Sequence, residues 1–313
     1  MIEDLENIYI YIEDNLDIQF EPDLRQLGKW APSVYICINQ KKELTCITIN
    51  GDKSVYETKH MDRLPDVIKS VMDRDSLTSL TISDYDILDI CSKYKITPEI
   101  DDEKYDDSYK TDIGIGVTYY GRARYVLFDI EDLGEDYLRS VFYRKIGRPL
   151  QILTTDRLLI REMCLDDMEE YVKLYDSLKG NEFVEELYPY DEEVEFVRKY
   201  IENMYTFFGY GLWLVFLKDT GELIGRVGIE NREIDGVTKQ ELGYLIGRDY
   251  QRKGYAYEAC SATIEYARTV LNMDELFVCI HRDNRISIDL AEKLGFILYA
   301  RNVGEMNLYK IEI

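Results

Sequence analysis

Histidine is almost missing from this chain: His60 and His281 are the only two in 313 residues. Zinc and related transition-metal sites rely on imidazole or on grouped thiolates, so a histidine-built metal centre is not expected. The six cysteines, Cys37, Cys46, Cys91, Cys164, Cys260 and Cys279, do not supply one either. None belongs to a Cys-x-x-Cys pair, and their spacings match no disulfide framework. Most sit in apolar runs, where a reduced thiol behaves as a small core residue. Positive charge is also scarce. Lys and Arg number 38 against 61 Asp and Glu, a net charge of −23 with a pI near 4.5. A phosphate backbone is repelled by such a surface, so nucleic acid is not an expected partner. A cationic substrate would be attracted, although solubility alone accounts for the charge equally well. No apolar run approaches the roughly 20 residues of a membrane-spanning helix. Met1-Ile2-Glu3-Asp4 has neither the positive segment nor the apolar stretch of a secretory leader. The expectation is a soluble, cytoplasmic protein.

What the chain has in abundance is tyrosine, 27 residues. A ring with a polar tip can line half-buried surfaces without demanding full burial. The length suits two domains better than one core. Residues 1–30 are acidic and mixed and read as one helix. Val34–Ile38 and Leu44–Ile49 are β-branched runs separated by Asn39-Gln40-Lys41-Lys42, and read as neighbouring strands. A helix follows at 62–73, a strand at 77–82, a helix at 85–94, an acidic loop at 101–112, a strand at 125–130 and a helix at 134–146. Gly147 and Pro149 end that helix. This alternation predicts an α/β domain over residues 1–150.

A second domain is expected over residues 151–313. Strands are predicted at 158–162, 212–217, 223–230, 241–246, 276–281, 297–301 and 306–311. Helices are predicted at 166–178, 191–208, 257–271 and 287–294. One run stands out: Glu241-Leu-Gly-Tyr-Leu-Ile-Gly-Arg-Asp-Tyr-Gln-Arg-Lys-Gly-Tyr-Ala256. A strand ending at Leu245 and Ile246 leads through a short polar loop into a helix. Gln251, Arg252, Lys253, Gly254, Tyr255 and Ala256 bring successive backbone N–H groups to that helix start. Such orphan donors and the positive end of the helix dipole suit a pyrophosphate. Gly254 permits close backbone approach, and Arg252 and Lys253 add positive charge. Taken alone, the loop is equally an ordinary strand-to-helix connection.

The wider pattern resembles the GCN5-related N-acetyltransferase superfamily (GNAT), in its ribosomal-protein N-acetyltransferase-like branch. Gln251-x-x-Gly254-x-Ala256 is similar to the superfamily's acyl-CoA pyrophosphate signature, Q/R-x-x-G-x-G/A. Asn284-Arg-Ile-Ser287 with Glu292-Lys-Leu-Gly-Phe296 resembles its next motif. Thr155-Asp-Arg-Leu-Leu-Ile-Arg-Glu162 is similar to the branch's opening strand, and Gly221-Glu-Leu-Ile-Gly-Arg-Val-Gly228 to its central hairpin. The resemblance implies a mixed, mostly antiparallel twisted sheet flanked by helices, with acetyl-CoA as cosubstrate and an amine as acceptor. It also implies two neighbouring strands, Leu242–Ile246 and Leu276–Ile280, splayed apart to receive the pantetheine arm, with Asn284 against that arm. Direct transfer, without a covalent intermediate, is the expected mechanism.

Acyl transfer needs a base, an oxyanion donor and an acid. Glu241, on the strand beside the expected acetyl position, is the first base candidate, and Glu230 the second. Each is also readable as a surface strand residue. The family's tyrosine acid, seven positions after the motif asparagine, is replaced here by Ala291. Ser287 could bind or protonate the thiolate, or simply cap a helix. Tyr244 and Tyr299 are reserves, and His281 closes a strand near the cleft. Trp213, Tyr210 and Tyr188-Pro189-Tyr190 are candidates for shaping an acceptor pocket, and the acidic stretch 182–193 for drawing in a cation. In the first domain, Asp84-Tyr-Asp86-Ile-Leu88 weakly resembles the nucleophile motif of haloacid-dehalogenase-type domains. Leu88 stands where that motif carries Thr or Val, so an inactive domain serving packing, dimerisation or acceptor selection is expected. A homodimer is left open. So are a non-catalytic acyl-CoA sensor and an interaction protein as other classes of function.

Overall fold

The computed structural model describes residues 1–13, 25–40, 43–50, 53–59, 78–83, 111–115, 123–127, 133–234 and 236–313. Elements are numbered among these. The chain divides into two units, residues 1–146 and 147–313.

The first unit is built on a strand in which Ile8 and Ile10 are buried while Tyr9 stacks on Tyr35 at 5.1 Å. This strand, β1 (Asn7–Glu13), corrects the helix expected over residues 1–30. Apolar residues at every second position bury one face of a strand but are scattered around a helix. That periodicity outweighs the acidic composition, and only a 3-10 turn at Arg25–Lys29 is helical in the described part of the stretch. β1 lies between β2 (Ser33–Gln40) and β5 (Ser79–Ser83), parallel to both. β6 (Thr111–Ile115) and β7 (Ala123–Leu127) continue the parallel arrangement beyond β5. β3 (Glu43–Asn50) and β4 (Lys53–Lys59) add antiparallel strands on the other side, for an order β4-β3-β2-β1-β5-β6-β7. β4 and β6 were not foreseen. Helix α1 (Glu135–Lys145) buries Leu138, Val141 and Phe142 in the same apolar cluster as Ile8, Leu80 and Ile113. The helices expected at 62–73 and 85–94, and with them Asp84 and Asp86, lie outside the described residues.

The second unit holds the expected mixed, mostly antiparallel sheet, in the order β14-β15-β13-β12-β11-β10-β9-β8. β8 (Gln151–Thr154), β9 (Leu158–Arg161), β10 (Leu212–Leu217), β11 (Leu223–Ile234) and β12 (Val237–Ile246) form an antiparallel run. β13 (Glu275–His281) joins β12 in parallel. β15 (Met306–Glu312) and β14 (Ile297–Val303) complete the far edge. Four helices flank the sheet: α2 (Met168–Asp176), α3 (Tyr190–Tyr200), α4 (Tyr255–Thr269) and α5 (Arg285–Lys293). α3 runs on as a π-helical segment, Ile201–Phe208. β10 is buried almost throughout, with Trp213, Leu214 and Val215 fully enclosed, as befits a central strand covered on both faces. Among the described residues, no helix is long and apolar enough to cross a membrane.

Candidate active site

The two edges of β12 are treated very differently. Toward β11 it pairs at ten positions, from Gly225↔Ile246 to Ile234↔Val237. Toward β13 it pairs at one, Glu241↔Phe277. Both strands then run on in the same direction, so beyond this point they diverge. A cavity of about 380 Å³ occupies the wedge, walled by Leu242–Tyr244 on one side and Val278–His281 on the other. Asn284 and Ser287, at the start of α5, close one end, and the segment Glu182–Glu185 lies across it.

At the head of the wedge β12 gives way to a 3-10 turn, Arg248–Tyr250, and then to the exposed loop Gln251–Gly254. Two loop residues have left-handed backbones, Arg252 at φ 59° and Gly254 at φ 86°. The second is a conformation glycine adopts without strain. It turns the chain into α4. Among the described residues, no carbonyl accepts from the backbone N–H groups of residues 252–257. They form a row of free donors at a helix start, reinforced by the helix dipole. The Gln251 side chain does not join that row. Its amide donates to the Ile246 carbonyl at 2.9 Å, tying the loop back to the end of β12.

A residue that sequence reasoning passed over holds the loop from the other side. Arg157 donates to the Lys253 carbonyl at 3.1 Å, lies 4.4 Å from the Tyr255 ring centroid, and pairs with Glu258 on α4 at 2.6 Å. Glu258 also accepts from the Thr155 hydroxyl at 2.5 Å and the Arg157 backbone N–H at 3.0 Å. Burial pushes the Glu258 carboxyl up. The Thr155 and Arg157 donors outweigh it and hold the group below the usual carboxylate range. Thr155 and Arg157 belong to the opening-strand motif, so the signal was present, but it read as a fold marker only.

The two base candidates sit directly opposite each other, Glu230 on β11 and Glu241 on β12. Glu241 lines the wedge, and both its oxygens are engaged. One accepts from Arg232 at 2.9 Å and the other from the Cys279 backbone N–H at 3.0 Å. The second bond crosses to β13 beside the single register pair. Glu230 lies outside the wedge lining and accepts one hydrogen bond, from the Tyr200 hydroxyl at 2.9 Å. Burial pushes its carboxyl up, and the like charges of Glu241 and Glu185 add to that. The Tyr200 donor and the Arg226 guanidinium oppose it without prevailing.

Other candidates are dispersed. Asn284 caps α5, accepting from the Ser287 N–H at 3.2 Å, and the Ser287 carbonyl accepts from the Tyr244 hydroxyl at 3.3 Å. Ala291 is buried in the core. His281 lines the wedge with Phe183 packed 5.3 Å away. Burial, reinforced by Glu241, pushes the Cys279 thiol in the wedge wall up to about 11. Tyr299 lies on β14 against Phe277, outside the wedge lining. Trp213 packs against Tyr266 with no exposure, which removes it from any acceptor pocket. Tyr188 and Tyr190 do line a cavity, a larger one of about 630 Å³ beside α2. Glu186 and Tyr175 also line it, and it shares Glu182, Val184 and Glu185 with the wedge.

The family model described as an acetyltransferase (GNAT) domain matches residues 157–297. The uncharacterized protein YkkB of Bacillus subtilis (strain 168) is 30% identical over 158 residues, which cover 50% of this chain and 90% of YkkB. The spermidine N(1)-acetyltransferase of Escherichia coli (strain K12) is 36% identical over 77 residues, 24% of this chain and 40% of that protein. Among solved structures, an acetyltransferase from Agrobacterium tumefaciens str. C58 aligns with a TM-score of 0.45 and 27% identity, covering 52% of this chain and 95% of its own. A strand wedge headed by a row of free amides and a matched domain spanning both lead to one assignment: the chain belongs to the GNAT acetyltransferase family.

Proposed function

We propose that residues 151–313 transfer an acetyl group from acetyl-CoA to a primary amine by direct attack in a ternary complex. The carrying observation is the row of unpartnered N–H groups over residues 252–257, beside the wedge between β12 and β13. The row fits a pyrophosphate, which would accept several N–H bonds at once at the positive end of α4. The edge of β12 beyond Glu241, up to Leu245 and the Ile246 N–H, fits an amide-bearing arm, which can complete the strand's backbone bonding where β13 has turned away, the Ile246 carbonyl being taken by Gln251. Arg252 and Lys253 add positive charge within the row, and Asn284 and Ser287, which follow β13, line the wedge.

The chemistry asks little beyond positioning. The amine nitrogen bonds to the thioester carbonyl carbon, the carbon–sulfur bond breaks, and the surplus ammonium proton must leave. Glu230 is the base in this reading. Its enclosed carboxyl is less content in the charged form than an exposed one, and among the described residues its Oε2 has no hydrogen-bond donor. Glu241 has no uncommitted oxygen, so its part is to fix the wedge rather than to take the proton. The proton reaches Glu230 through water, since that side chain lies outside the wedge lining. The Ser287 hydroxyl donates a hydrogen bond to the departing thiolate, which takes its proton from water, while the proton held by Glu230 returns to solvent. Cys279 stays a neutral thiol near pH 7 and hence a poor nucleophile, which favours direct transfer over an acyl-enzyme.

A cationic acceptor suits the approach. Glu182 and Glu185 border both cavities, with Glu186 and the Tyr175 and Tyr188 rings in the larger one, and rings and carboxylates together attract ammonium groups. The similarity to a spermidine acetyltransferase points the same way, with a protein N-terminus as the other candidate acceptor. The test is release of coenzyme A from acetyl-CoA in the presence of a panel of small amines and N-terminal peptides. Turnover with at least one amine is expected. Binding of acetyl-CoA without turnover across the panel would favour the second reading, an acyl-CoA sensor, for which Ala291 in the tyrosine position speaks.

A further inference from the structure

We infer that Tyr200 is a positioning residue for the base, and that the π-helical segment following α3 exists to deliver its hydroxyl to Glu230. This rests on the reading of Glu230 as the proton acceptor.

The geometry begins with the helix. Tyr200 closes the α-helical part of α3 and Tyr205 lies in the π segment. On a regular α-helix, residues five apart face directions about 140° apart. The wider π turn, bonded i to i+5, brings them to one side. Both rings turn to the sheet, in edge contact with centroids 5.7 Å apart. Each hydroxyl then takes one end of the same residue on β10. Tyr205 donates to the Leu212 carbonyl at 2.5 Å, and the Leu212 N–H donates to the Tyr200 oxygen at 2.7 Å. An amide nitrogen can only donate, so the Tyr200 oxygen is the acceptor there and its own hydrogen is left for Glu230 Oε1, 2.9 Å away. The direction of the Tyr200–Glu230 bond is therefore fixed by β10. Gly211 makes room for this. A Cβ there would stand 2.7 Å from Tyr205 Cε1 and 3.0 Å from the Tyr200 hydroxyl.

Glu230 is thus held by one oxygen and left with the other. Four groups act on it from the surrounding elements. Tyr200 from α3 and Arg226 from its own strand favour the ionised form. Glu241 from β12 and Glu185 from the segment before α3 disfavour it. Removing the Tyr200 hydroxyl deletes a donor to the charged form, so the carboxyl should titrate at higher pH.

The experiment is the pH profile of kcat/KM for acetyl-CoA turnover with one fixed amine. In Tyr200→Phe the acidic limb should move up by roughly one pH unit, with kcat down about tenfold. Tyr205→Phe loses comparable packing and bonding but should leave the limb in place. A fluorotyrosine placed at position 200 keeps the fold while donating more strongly, and should move the limb the other way. If Tyr200→Phe does not fold, the fluorotyrosine variant alone decides. An unmoved limb in the variants that fold, with Glu230→Gln inactive, overturns the role of Tyr200 and leaves the base in place. Full activity in Glu230→Gln, with acetyl-CoA binding intact, overturns the base itself.

Discussion

The zipped edge of β12 and its open edge are a few ångströms apart and made of similar residues, yet they do opposite work. Toward β11, ten register pairs saturate the backbone and leave nothing to bind. Toward β13, one pair is kept, and Glu241–Tyr244 line a cavity. Glu241 marks the border. Its side chain reaches across to the Cys279 N–H while its opposite number, Glu230, accepts from Tyr200 at the end of α3. The cavity here lies where a strand pairing is limited to one position. At its limit one side-chain bond, from the Cys279 N–H to Glu241, spans the two strands.

The largest expected effect comes from attacking the head of the open edge. Gly254→Glu places an anion among the N–H groups of residues 252–257 and forces a side chain onto a φ of 86°. Affinity for acetyl-CoA, read by titration calorimetry, should fall at least about a hundredfold, which is roughly 2.7 kcal/mol. The zipped edge should be untouched, so amide exchange over Gly225–Glu230 should match the parent. Unchanged affinity would mean that the free amides are not where the acyl donor binds.

How much of this contrast could be read in advance differs between the two units and within the site. The strand-loop-helix passage around Gly254 was legible because glycine spacing and the strand-to-helix switch are local features. Every strand and α-helix of the second unit from β10 onward falls within a few residues of its expected span, whereas the 3-10 turn Arg248–Tyr250 was not foreseen. Arg157 was not legible as a loop clamp. It meets the Lys253 carbonyl across 96 residues of chain, a contact only the fold creates. Tyr200 was hidden for another reason: its partnership with Tyr205 depends on a π turn, which a search for 3.6-residue periodicity does not register. β1 is masked in the sequence by its acidic neighbours, although Ile8, Ile10 and Ile12 keep a clear period of two.

An intermediate effect should come from the border itself. Glu241→Ala removes the acceptor of the Cys279 N–H and the partner of Arg232. Leaving a half-buried amide without a partner costs about 1–3 kcal/mol, to be measured by urea denaturation. Arg232 is half exposed and stays hydrated, so its share is small. Amide exchange at Cys279 should accelerate while exchange along β11 does not. Equal acceleration on both edges would mean that Glu241 supports the whole sheet rather than the limit of the split.

The smallest effect concerns the clamp on the loop. Because the Glu258 carboxyl is held below its usual range, its contribution to stability is fully present above the ordinary glutamate value of about 4.3. That contribution is lost as pH falls through the lower value in the folded chain. Glu258→Gln keeps an acceptor for Thr155 and the Arg157 N–H but gives up the charge pair. At pH 7 the variant should be less stable by no more than about 1 kcal/mol, because Arg157 is half exposed. Between pH 5 and 3 the gap should close, as the parent takes up a proton that the variant cannot. Parallel stability curves across that range would show that the Arg157–Glu258 pair does not hold the loop. Its order would then rest on the Gln251 bond to Ile246, placing the anchor at the end of β12 rather than on the turn between β8 and β9.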